Sequence, residues 1–166
     1  MKIARPSRKT LMQFTLVILV IFAMRLWQQH DLTQGKVPNF SSTSLTGEIL
    51  SSQPPPDQAM LIHFWATWCG ICRFENDNVQ ALNKDYKVLN IAMQSGTDDE
   101  LRQYATQHQL STHNIINDNT GSLARLFGVR GTPSSFFINP QGAIQFIEVG
   151  YVTELGYRLR LWWASL

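Results

Sequence analysis

Cys69 and Cys72 are the only cysteines of the chain, and they stand three residues apart. Two vicinal thiols can staple a fold, hold a metal, or trade a disulfide with a partner. A loop closed across two intervening residues restrains little of the unfolded chain, so this pair is a weak staple. A structural zinc site wants four ligands at characteristic spacing, and His30, His63, His108 and His113 complete no such pattern. Exchange chemistry remains. It needs one sulfur as a thiolate and a second sulfur close enough to attack the mixed disulfide that forms.

The flanking residues say what must position the sulfurs. Residues 59–65 are a short apolar run rich in aromatics, which reads as a buried central strand. After Cys69 the period changes, and Phe74, Val79, Leu82 and Tyr86 fall near one face of a helix. The cysteines therefore sit where a strand hands over to a helix. There Cys69 faces unpaired backbone N–H groups and the positive end of the helix dipole, both of which favour its thiolate. Cys69 is the expected nucleophile, and Cys72, one turn further in, the resolving thiol.

Upstream, residues 37–50 alternate around a Thr46-Gly47 turn and predict a hairpin, and residues 51–57, with prolines at 54–56, predict a loop. Downstream, residues 87–93 predict a strand. Thr97 or Asp98 can cap a helix carrying Leu101, Tyr104, Ala105 and His108. A short strand follows at 114–117, then a helix from Thr120 through Leu123, Leu126 and Phe127, stopped at Gly128. Residues 134–138 and 143–150 read as a hairpin around 139–142. Residues 153–164 close the chain as a helix with Leu155, Leu159 and Trp162 on one stripe. Strands alternating with helices, then a hairpin and a helix, imply a mixed α/β sheet with helices on both faces.

The run Phe64-Trp65-Ala66-Thr67-Trp68-Cys69-Gly70-Ile71-Cys72-Arg73, with Glu75 beyond it, resembles the thioredoxin superfamily. It is most similar to the membrane-anchored TlpA/ResA-like thiol–disulfide oxidoreductases, which include cytochrome c maturation and copper-sensitivity-suppressor thioredoxins. The resemblance runs from about Val37 to the C-terminus and takes in Val129-Arg130-Gly131-Thr132-Pro133. It implies a thioredoxin fold with an N-terminal β-hairpin extension and a central helix–strand insertion at about 98–117. It implies a cis Pro133 beside the cysteines, Trp68, Thr132 and Pro133 as substrate-binding residues, and Gly70 and Ile71 as tuners of the redox potential. Thioredoxin itself has Gly-Pro between its cysteines, and many relatives have a helix-kinking proline where Asp77 stands.

Two ionisable positions carry two readings each. His63 occupies the place of thioredoxin's buried acid, as a proton acceptor or as a hydrogen-bonded core residue. Glu75, about one helical turn past Cys72, is a proton relay or a solvated surface carboxylate. Phe64, Trp65 and Phe136 read as core. Trp68 reads as partly exposed, and Trp162 and Trp163 cannot both face one core.

At the N-terminus, Lys2, Arg5, Arg8 and Lys9 precede an uncharged apolar run from 10 to 24, followed by Arg25, Leu26 and Trp27. Residues 11–27 make ~26 Å of helix, near the lower limit for a bilayer span. A cleavable signal peptide would need small residues after the apolar run, and this stretch is poor in them. The organisation expected is a basic cytoplasmic tail at 1–9, a transmembrane signal anchor at 10–27, a linker at 28–36 and the thioredoxin-like domain at 37–166. The positive-inside rule places that domain in the bacterial periplasm, on a single-pass inner-membrane anchor.

A formal net charge of +2, with no basic stripe, gives no reason to invoke nucleic acid. The activity expected is dithiol–disulfide exchange that reduces disulfides in exported proteins, with no metal and no cofactor beyond the Cys69–Cys72 pair. The partners expected are exported disulfide- or dithiol-containing proteins and a membrane electron donor, which the resemblance implies. Direction stays open, because an oxidase or isomerase uses the same pair. A non-catalytic copper or thiol carrier is a rival of another class, since two thiolates suit Cu(I). A peroxidase would need a further Thr and Pro upstream of the cysteine.

Overall fold

The strand at the centre is apolar on both faces because it is covered on both. β3 (Met60–Trp65) is wholly buried and lies in the middle of a five-stranded sheet of order β5-β4-β3-β6-β7. It pairs parallel with β4 (Lys87–Met93), which pairs parallel with β5 (Ile115–Asp118). On its other side β3 pairs antiparallel with β6 (Ser134–Ile138), which pairs antiparallel with β7 (Ile144–Val149). The computed structural model that shows this describes Thr10 and residues 12–20, 31–55 and 57–166.

Strand parity divides the core. Met60, Ile62 and Phe64 point to one face with Leu89, Ile91, Phe136 and Ile138. They pack there against Phe127 and Ala124, at and beside α3 (Ser122–Leu126). Leu61 and Phe137 point to the other face, against Val79 and Leu82 of α1 (Gly70–Leu82) and Tyr157 and Leu161 of α4 (Glu154–Ala164). Trp65 and Ala92 extend that face towards Leu101 and Ala105 of α2 (Asp98–Gln107). By the same parity His63 and Ser135, which are register partners, face α1 and α4.

The expected hairpin is present as β1 (Ser41–Thr43) and β2 (Ile49–Ser51), turning at Gly47 with φ 91°. It reaches the main sheet through the Leu45 N–H, which donates to the Ile115 carbonyl at 3.0 Å, and through the buried Leu45 side chain. Thr97 caps α2 in a reciprocal capping box with Glu100. The helix–strand insertion is α2 and β5.

Some expectations change. The compact unit runs from Leu32 to Leu166, and Leu32 is itself in the core, so packing starts ahead of residue 37. On α1, Phe74 is 80% exposed rather than on the packed face. On α4 the stripe is displaced. Tyr157, Leu161 and Ala164 are buried, whereas Leu155, Leu159 and Trp162 are exposed, as is Trp163, which meets the Phe146 ring edge-on. Both sets recur at helical spacing, and a polar-looking tyrosine hid the buried one.

In the N-terminal unit, Thr10 and residues 12–20 are helical, and residues 12–20 are exposed. Among the described residues no helix is long and apolar enough to cross a membrane. The basic tail at 1–9, residues 11 and 21–27 of the expected anchor, and the first part of the linker lie outside the described residues.

The two candidate stripes of α4 separate by mutation. Leu161→Ala should cost about 2–5 kcal/mol, the range for emptying a fully buried leucine site, whereas Leu159→Ala should change stability by no more than about 0.5 kcal/mol. Urea unfolding of the oxidised protein measures both.

Candidate active site

α1 begins at the cysteines because Cys69 itself caps it. Cys69 has extended backbone, and its Sγ accepts the Cys72 N–H at 3.2 Å, taking up one of the helix's unpaired donors. The first turn carries no acidic side chain, so nothing there opposes negative charge on the sulfur. Cys69 and Cys72 are joined by a disulfide with Cα atoms 5.3 Å apart. Cys69 is 8% exposed and Cys72 only 1%, so an incoming partner meets the first sulfur.

The segment before β6 closes over the pair. Cys69 Sγ lies 3.6 Å from the Thr132 carbonyl oxygen, and the Thr132–Pro133 peptide is cis. Pro133 is buried and Thr132 half-buried, with the Thr132 hydroxyl making no hydrogen bond. Trp68 is 60% exposed, its ring anchored by Nε1–H donating to the Gln94 carbonyl at 3.1 Å. Ile71 and Phe74 are also exposed, and a side chain at Gly70 would meet open space. The buried sulfurs are thus flanked by the exposed apolar side chains of Trp68, Ile71 and Phe74. Among the described residues no cluster of three or more His, Cys, Asp or Glu is placed to hold a metal ion.

One helical turn past Cys72 lies a buried polar group. Glu75 is fully buried, so the solvated-carboxylate reading does not hold. Its Oε1 accepts the Val152 N–H at 2.6 Å and the Tyr157 hydroxyl at 2.9 Å. Tyr157 OH lies 2.9 Å from Ser135 Oγ, which lies 2.9 Å from His63 Nδ1. His63 Nε2 stands 3.8 Å from Glu75 Oε2. Burial pushes the Glu75 carboxyl up to about 7, against the lowering effect of its two hydrogen bonds. Burial pushes His63 down to about 3. The His63–Glu75 contact is therefore no ion pair: the imidazole is neutral, and the carboxyl holds its proton up to neutrality. Burial, with the Glu75 carboxyl beside it, raises the Tyr157 phenol as well.

The structure brings together Cys69, Cys72, Trp68, Thr132 and Pro133, and places Glu75 and His63 in one buried group with Ser135 and Tyr157. Those last two were missed. A signal existed for Ser135, one of two adjacent hydroxyls that open an otherwise apolar strand, two residues past Pro133. Tyr157 was masked by the choice of the wrong stripe on α4.

The family model described as AhpC/TSA matches residues 33–147. Thioredoxin-like protein YneN of Bacillus subtilis is 31% identical over 125 residues, covering 72% of this chain and 72% of its own. Thiol-disulfide oxidoreductase ResA of Oceanobacillus iheyensis is 27% identical over 150 residues, 83% of this chain and 78% of its own. A solved thiol:disulfide interchange protein of the thioredoxin family from Chlorobium tepidum superposes with a TM-score of 0.68 at 24% identity, over 82% of this chain and 99% of that one. The fold is the thioredoxin fold, and the chain belongs to the AhpC/TSA family.

A raised carboxyl binds its proton in the folded protein where the unfolded chain has released it. Stability from Glu75 is therefore complete below its ordinary value of 4.5 and is lost as pH rises towards about 7. The Glu75→Gln protein lacks this dependence. The stability of wild type relative to Glu75→Gln should fall by on the order of 3 kcal/mol between pH 4.5 and 7.5, as read by denaturant unfolding of the oxidised proteins. A flat difference would contradict burial of the ionisable carboxyl.

Proposed function

We propose that this thioredoxin-like thiol–disulfide oxidoreductase of the AhpC/TSA family works as a reductase of exported proteins, held at the membrane by residues 10–27. The observation that carries the exchange mechanism is the asymmetry of the pair. Cys69 caps a helix N-terminus at the surface, and Cys72 is shut away one turn behind it.

In the reduced enzyme the Cys69 thiolate attacks a substrate disulfide, forming a Cys69–substrate bond and releasing one substrate sulfur as a thiolate that takes up a proton. Cys72 then loses its proton and attacks Cys69. The enzyme disulfide forms, the second substrate sulfur leaves, and two electrons have passed to the substrate. The redox group is the cysteine pair itself. A dithiol donor in the membrane restores it by the same two steps in reverse.

Trp68, Ile71 and Phe74 supply the apolar docking surface around the sulfurs, and the backbone at Thr132 and Pro133 offers an edge to an extended substrate segment. Gly70 and Ile71, unconstrained by packing, are the positions at which potential is tuned. The basic cluster at 2–9 and the apolar run to Met24 support export with the N-terminus inside and the domain in the periplasm.

Each part of this reading has an expected outcome. Cys69→Ser abolishes insulin-disulfide reduction, and Cys72→Ser accumulates a mixed disulfide visible on non-reducing gels. The potential against glutathione falls near or below about −200 mV; a value near −120 mV would make the protein an oxidant. The full chain sediments with inner membranes and resists carbonate extraction, whereas recovery in the soluble periplasmic fraction would remove the tether.

A further inference from the structure

The donors and acceptors of this buried group can be assigned by exhaustion. Glu75 Oε1 accepts two hydrogen bonds, from the Val152 N–H and the Tyr157 O–H. The phenolic proton is thereby used, so the contact between Tyr157 and Ser135 must carry the serine's proton. The serine proton is then used, so the proton between Ser135 and His63 is the one on Nδ1, which also faces the Tyr157 hydroxyl at 3.5 Å. A neutral imidazole with its proton on Nδ1 has a bare lone pair on Nε2. That atom faces Glu75 Oε2 at 3.8 Å, and both atoms are buried without a hydrogen bond. Around this circuit every donor runs the same way, and one gap is left, between two acceptors.

We propose that His63 is a positioning residue for Glu75: together with Ser135 and Tyr157 it forms a ring that one proton on Glu75 Oε2 closes, which keeps the carboxyl neutral one helical turn from Cys72. Closing the gap takes about 1 Å of side-chain movement to reach ordinary hydrogen-bond length. Without the proton, two lone pairs face each other in a dry interior. The titratable groups around the carboxyl are few. β3 presents His63 and α4 presents Tyr157, while α1 itself carries Cys72. β7 contributes Glu148, which Arg160 holds at 2.6 Å. The influences on the Glu75 carboxyl are its burial, the Val152 N–H and the Tyr157 hydroxyl, with no cation among them. A neutral carboxyl spares the cysteine pair a like charge, and its ionisation opposes thiolate formation. The ring therefore sets the pH above which the cysteine pair gains thiolate less steeply.

This rests on the exchange reading for its consequence, but its test does not need turnover. In the oxidised full-length protein, carboxyl-13C glutamate labelling, with Glu75→Gln to assign the signal, reads the titration of Glu75 directly. His63→Asn leaves a polar group near Ser135 and removes the acceptor at Nε2, whereas His63→Gln puts an amide near the Nε2 position. The midpoint should fall by about one pH unit in His63→Asn, a roughly tenfold loss of proton affinity, and recover in part in His63→Gln. The break in the potential-versus-pH curve should move with it. An unchanged midpoint in folded His63→Asn overturns the proposal. Wild-type imidazole 15N shifts decide it even if that variant does not fold: a proton on Nδ1 is required, and a proton on Nε2 overturns it. Absence of exchange by Cys69 and Cys72 would sink the functional reading and leave the carboxyl titration standing.

Discussion

A carboxyl group buried one helical turn past a disulfide ties the rest of this structure together. Glu75 belongs to α1, yet its partners come from elsewhere: the Val152 N–H ahead of α4, the Tyr157 phenol of α4, and through it Ser135 of β6 and His63 of β3. Each would be an orphaned buried polar group alone, at a cost of about 1–3 kcal/mol. Together they satisfy one another except at a single contact. The requirement that a buried acid find donors fixes how α1 and α4 sit on the sheet as firmly as the apolar contacts of Val79, Leu82 and Leu161 do.

That arrangement serves the sulfurs above it. α1 must start at Cys69 for the sulfur to meet the helix's free N–H groups, and it must be held rigidly for Cys72 to stay within reach. The lower end of the first turns is held by Glu75, and the upper side is bordered by the Thr132 carbonyl and Pro133. β6 links the two, since Ser135 follows Pro133 by two residues and points to the same face as His63. Site and support are parts of one strand pair and one helix.

Much of this was legible in order and spacing. The strand–helix junction, the hairpin turn at Gly47, the Thr97 cap and the β6–β7 hairpin each follow from local signals that tertiary packing did not override. What could not be read was which of two helical stripes packs. On α4, Leu155, Leu159 and Trp162 outscore Tyr157, Leu161 and Ala164 in hydrophobicity, but the packed side of the helix meets His63 and Ser135 of the sheet and Glu75 of α1, and only the tyrosine can donate there. Phe74 misled in the same way. Its neighbour Glu75 takes the inward position because a carboxyl is wanted one helical turn past the disulfide, and the aromatic is left on the rim.

The same logic shows what a carboxyl does at this position that an apolar residue would not. An apolar residue at 75 would pack against Tyr157 and Val152 with no dependence on pH. It would also leave Tyr157, Ser135 and His63 with no acceptor at the end of their chain. A carboxyl near its titration point costs stability above neutrality, but it can change charge beside a sulfur pair whose reactivity depends on charge. The direction of α1, the choice of tyrosine on α4 and the polar pair on β3 and β6 all follow from placing that carboxyl there. The exposed apolar surface of Trp68, Ile71 and Phe74 follows from leaving only one sulfur for a partner to reach.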